Sequence, residues 1–186
     1  MIKPNFNEKK ATGLATYLLR LAGGTMNKMK LIKLMYLVDR ASLCEMGQFV
    51  TNDDFYSLPY GPFLSHTADL INEEPQEPTL WNKHIAPPAD YSVSLTPNNH
   101  TEMEEYLSEY ELGLAQKIYT RFGTMNIWDL VEWCHRNLPE WKDPGRGNRL
   151  PIDLSVILDD CGKTPEEQKE IIMGLAEQAQ VERFFQ

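Results

Sequence analysis

The stretch NKMKLIKLMYLVDRASLCEMG, Asn27 to Gly47, constrains this chain more than any other. Leu31, Leu34, Met35, Val38 and Ser42 recur at helical spacing, so they form one face turned toward a core. Asn27 is placed to cap the start of this helix, and Gly47 to end it. Asp39 lies four residues after Met35 and four before Leu43, at the edge of the apolar face. A carboxylate held there must find donors or take up a proton. The candidate partners are Arg40, Lys28 and the N–H groups of the turn at Gly61. The expected role is an internal bridge that fixes helix to turn, ahead of a catalytic acid.

Helices dominate the rest of the chain. ATGLATYLLRLAGG places Leu14, Tyr17, Leu18 and Leu21 on one side and ends at Gly23-Gly24. Thr51 to Leu58 contains a strand, and the pattern predicts a helix from Phe63 to Asn72. EEPQEPT is a loop. LWNKHIA and YSVSLT read as two short strands around PPAD, with the strand before Tyr60 as their expected partner. Residues 102 to 122 are helical with a break near Ser108. Ile127 to Arg136 is a helix that is apolar on most sides, hence central. Asp153 to Asp160 is another helix. Thr164 caps the last one, Pro165 takes its first turn, and Glu166 and Glu167 suit its positive end. The expected fold is mainly α: one compact helical domain over residues 1–186 with a small antiparallel β-sheet or hairpin.

Tyr60-Gly61-Pro62 stands between the strand and the next helix. Proline fixes its own φ and lacks an N–H, which suits the first turn of a helix. It also pushes the residue before it out of the helical region, and glycine there permits close backbone approach. The joint reads as a tight turn. A second reading stays open, in which the helix start receives an internal carboxylate or touches a partner.

Charge and cysteine usage narrow the function. The net charge of −9 opposes nucleic-acid binding, which needs a cationic face. Lys28, Lys30, Lys33 and Arg40 make a basic stripe on one helix, read as a solvated face. Cys44, Cys134 and Cys161 form no CxxC pair, and one would be left over from any bridge. That argues against a disulfide framework and for a reducing, cytoplasmic compartment. A chain of this length buries about 70% of its unfolded surface and needs no such staple. No apolar run approaches a membrane span. Cys134, His135 and His66 lack metal-ligand spacing, so neither a metal nor a thiol nucleophile is expected. No phosphate loop is present, and no cofactor is expected.

The residues so far stand in an order that resembles a known family. KLIKLMYLVDR, Lys30 to Arg40, is similar to the K-L-x-K-L-x-Y-x-x-D helix of the Panacea domain, the SocA-like antitoxin family. SLPYGP resembles its following Y-G-P turn. WCHRNLPEWKDP and LPIDLSVIL are similar to its C-terminal pattern. The resemblance runs from 14 to 160 and leaves the helix at 164–186 less covered. It implies an antitoxin that binds a cognate protein toxin of a bacterial or phage (prophage) toxin–antitoxin system. It carries over Lys33, Tyr36, Asp39, Tyr60, Gly61 and Pro62 as scaffold or partner contact, with Trp133, His135 and Trp141 as core support. It implies no catalytic residue, so no enzyme is expected. The alternatives are an adaptor that delivers the toxin to a protease, and an unrecognised enzyme.

Overall fold

The computed structural model describes residues 4–72, 79–97 and 101–184. The loop expected at EEPQEPT falls almost entirely outside them. Its helices are α1 (Glu8–Leu21), α2 (Lys28–Met46), α3 (Ser65–Asn72), α4 (Leu80–His84), α5 (Glu109–Phe122), α6 (Ile127–Asn137), α7 (Leu154–Asp160) and α8 (Pro165–Phe184). Its strands are β1 (Thr25–Asn27), β2 (Phe55–Leu58), β3 (Gly61–Leu64), β4 (Ile85–Ala89), β5 (Ser92–Leu95) and β6 (Leu150–Pro151). A 3-10 helix covers Thr101–Tyr106. The architecture is mainly α with two small antiparallel sheets.

Helix α2 is the central element. The Asn27 side chain accepts from the N–H groups of Met29 and Lys30, and Gly47 ends the helix in the left-handed region at φ 67°. Every residue from Leu31 to Asp39 is buried. A single apolar face was expected; instead neighbours enclose the helix on all sides, which its apolar content allows. Helix α1 packs beside it and buries Ala11, Leu14, Ala15, Leu18 and Leu19 in the shared core. One core cluster extends from Ala11 to Leu175 and takes in residues of every α-helix.

Several expected boundaries change. Tyr60-Gly61-Pro62 does not open a helix. Pro59 and Tyr60 form the tip of a hairpin, and Leu58 pairs with Gly61 and Ser57 with Pro62. Strand β3 is the edge of the sheet β3-β2-β6, where a residue without an N–H is tolerated. Helix α3 therefore starts at Ser65 rather than Phe63. LWNKHIA is a short helix followed by a strand. Thr79 caps it, and the buried residues Trp81 and His84 lie one turn apart. Strand β5 pairs with β4 on one side and with β1 on the other, and neither β4 nor β5 pairs with the strand before Tyr60. The break near Ser108 is a capping box with Glu111 at the start of α5.

Cys44 and Cys161 are joined in a disulfide with Cα atoms 5.7 Å apart. This corrects the expectation of no bridge and removes cysteine usage as an argument for a reducing compartment. The bridge ties the end of α2 to the end of α7, across 117 residues of sequence. Cys134 remains free and buried. Among the described residues, no helix is long and apolar enough to cross a membrane.

Candidate functional site

The residues from the α2 helix and the Tyr60 turn fall into two layers, one buried and one exposed. Asp39 belongs to the buried layer. Gly47 turns the chain back along α2, so residues 50 and 51 come to lie beside it. Asp39 Oδ1 accepts from the N–H of Val50 at 2.6 Å and of Thr51 at 2.9 Å. Its Oδ2 accepts from the Thr51 hydroxyl. The expected partners were Arg40, Lys28 or the Gly61 turn; the true ones are the backbone and hydroxyl of the loop after α2. Burial pushes the Asp39 carboxyl up to about 6, against the pull of these donors, and Asp53 adds to the rise.

Asp53, which the sequence reading did not single out, caps α3. Its Oδ1 accepts from the N–H groups of Asp54 and His66, and its Oδ2 from the N–H and hydroxyl of Thr67. It is the internal carboxylate that the second reading of the turn had left open. The signal was an Asp just ahead of the strand, too far from the helix start to count as a local cap.

Lys33 and Gly61 meet beneath the hairpin. Lys33 is buried, so it is not part of a solvated basic stripe. Its Nζ donates to the Pro62 carbonyl oxygen at 3.4 Å. Burial lowers its ammonium to about 8, and the nearby Cys134 works weakly the other way. Cys134 is itself pushed up to about 11 by burial, so it is a thiol and not a thiolate at neutral pH. Gly61 has φ +106°, and a Cβ there would lie 2.7 Å from Lys33 Nζ. Gly61→Val is therefore expected to cost about 1–3 kcal/mol through backbone strain. Chemical denaturation checks this, and an unchanged midpoint would contradict it.

Tyr36 and Arg40 reach across to Glu140. Glu140 Oε1 accepts from the Tyr36 hydroxyl and from Arg40 Nε, both at 2.7 Å. Arg40 Nη2 also reaches Asp160 at 2.5 Å. Next to this cluster, His135 stacks on Trp141 with ring centroids 3.8 Å apart. Trp141 Nε1 donates to the Leu58 carbonyl at 2.9 Å, so it braces the hairpin tip. His135 Nε2 is buried without a hydrogen-bond partner, and burial lowers its imidazole. Trp133 sits elsewhere, tilted against Phe122 at 4.5 Å.

The exposed layer has two aromatic rings. Tyr60 is 57% exposed and Trp128 55%, and they meet edge to face at 5.7 Å. Trp128 is thus a surface residue, although α6 had read as apolar on most sides. Leu130, Val131 and Cys134 supply its buried face. Beside Tyr60 lies a pocket of ≈ 180 Å³ walled by Met29, Ile32, Leu58, Pro62 and Phe63. Among the described residues, no group of three or more His, Cys, Asp or Glu side chains is placed to hold a metal ion.

The family described as antitoxin SocA-like, Panacea domain, matches residues 31–142. That span includes most of α2, the hairpin, α3, α6, Glu140 and Trp141, and exceeds half of the 186 residues. No curated protein and no solved structure matches the chain. On the strength of the span matched, the chain belongs to the SocA-like Panacea antitoxin family.

Proposed function

We propose that the protein neutralises a cognate protein toxin by direct contact, and that the contact is centred on Tyr60 and Trp128. The observation that carries this reading is the exposed aromatic pair, in a chain of an antitoxin family. Tyr and Trp are the residue types enriched where interfaces concentrate their binding energy. Both rings stand on braced structure. Tyr60 sits on a hairpin held by Trp141 and Lys33, and Trp128 on the first turn of α6. Lys33, Tyr36, Asp39, Gly61 and Pro62 are scaffold in this reading, and Tyr60 is the contact. Residues 1–186 act as one domain, a view supported by the core cluster shared by every α-helix. No catalytic step is assigned.

The test is Tyr60→Ala. The side chain is largely in solvent, so the melting temperature is expected to hold. Affinity for the co-encoded toxin is expected to fall at least tenfold, about 1.4 kcal/mol. Unchanged affinity would return Tyr60 to the scaffold. Growth rescue without a detectable complex, lost when a cellular protease is deleted, would favour delivery to that protease instead.

A further inference from the structure

We infer that the pocket beside Tyr60 receives one apolar side chain of the toxin, from a segment that sets an acidic side chain against Lys28. The inference rests on the proposed toxin contact and adds the chemistry of what is bound. Size comes first. The pocket holds ≈ 180 Å³, below the range of about 300–1,000 Å³ typical of small-molecule and cofactor sites. One side chain fits it. The walls come next. Met29, Ile32, Leu58, Pro62 and Phe63 exclude water from whatever enters, and exposed Tyr60 stands at its edge.

Charge selects the flank. Among the described residues, the charged and amide side chains lining the pocket are Lys28, Lys33 and Asn72, with no carboxylate, although the chain as a whole carries a net charge of −9. Lys33 is buried and turned to the Pro62 carbonyl, so it serves as wall. Lys28 is the ammonium at the solvent side. Its Nζ donates to Asn72 Oδ1 at 2.7 Å, in an exposed hydrogen bond to a neutral amide. An incoming carboxylate exchanges that amide for an ion pair, which favours this partner over a basic or neutral one.

Two substitutions test the two halves on the full chain with its co-encoded toxin. Lys28 is the first residue of α2, where glutamate suits the positive end of the helix, so Lys28→Glu leaves folding intact. It is expected to weaken toxin binding about tenfold and to slow association most at low salt. Met29→Trp fills the pocket from a half-buried position, and is expected to weaken binding about tenfold with melting held near that of the native protein. A toxin variant in which an interface Glu or Asp is changed to Lys should bind Lys28→Glu better than it binds the native chain. Native affinity in either folded variant would overturn the inference and leave toxin binding standing. If the native chain itself fails to bind the toxin, the parent reading falls and the inference falls with it.

Discussion

Glu140→Ala is expected to lower the folding free energy by about 3–5 kcal/mol, the cost of breaking a buried ion pair from one side. The Glu140 side chain is fully buried and Arg40 is partly buried. Removing the carboxylate leaves the Tyr36 hydroxyl, itself enclosed, with no acceptor. It also leaves the guanidinium with Asp160 as its remaining carboxylate partner. The Tyr36 hydroxyl is held well above its ordinary value by burial first and by Glu140 second, so it stays a donor at any working pH. Arg40 is likewise held more firmly protonated, because Glu140 and Asp160 outweigh its burial. The cluster joins α2 to the segment after α6 over about a hundred residues of sequence. Urea denaturation of Glu140→Ala checks the magnitude, and a loss under about 1 kcal/mol would place the pair among weak surface bridges. A double-mutant cycle of Glu140→Ala with Tyr36→Phe should show coupling, since the two side chains share one hydrogen bond.

What the sequence disclosed follows from how local each cause is. The bounds of α2 were legible because Asn27 and Gly47 act within one turn of the helix ends. The start of α8 was legible for the same reason, through Thr164 and Glu167. Pro62 misled because two local rules fit it equally. A proline suits the first turn of a helix, and it also suits an edge strand, which is where β3 places it. Lys33 misled because its position reads as part of a basic stripe, whereas burial is set by β3 and α6 packing over it. The Asp39 carboxylate was expected to find donors and does, but the choice among donors depends on the path taken after Gly47. The Glu140 cluster had no local signal, since Arg40 and Glu140 are a hundred residues apart. The Cys44–Cys161 bridge lacked one for the same reason.

Asp39 carries the second large expectation, and pH gives it a sign. Asp39→Ala leaves two backbone N–H groups and one hydroxyl without their acceptor, all in the core. Each costs about 1–3 kcal/mol when unpaired, so a loss of about 3 kcal/mol or more is expected. Asp39→Asn should be far milder. Its amide oxygen can accept from Val50 and Thr51, and its amide nitrogen can donate to the Thr51 hydroxyl oxygen. The two neutral variants then differ in hydrogen bonding and in the void that alanine leaves, while the native chain adds a titration. Burial raises the folded Asp39 carboxyl from 3.8 to about 6. Below the lower value the carboxyl is neutral in both states, and its buried site costs nothing in charge. Between the two values the unfolded chain releases the proton while the folded chain keeps it, so stability falls as pH rises. Above about 6 the loss is complete, at about 3 kcal/mol for a shift of this size. Asp53 is raised in the same direction, again chiefly by burial, so the native curve alone would mix two groups. Subtracting the Asp39→Asn curve cancels most of the Asp53 part, since Asp53 keeps its partners at Asp54, His66 and Thr67. The expected difference is native stability that declines relative to Asp39→Asn from pH 4 to pH 6 and then levels. A difference that rises with pH over that interval would mean that the three donors outweigh burial and hold the carboxylate ionised.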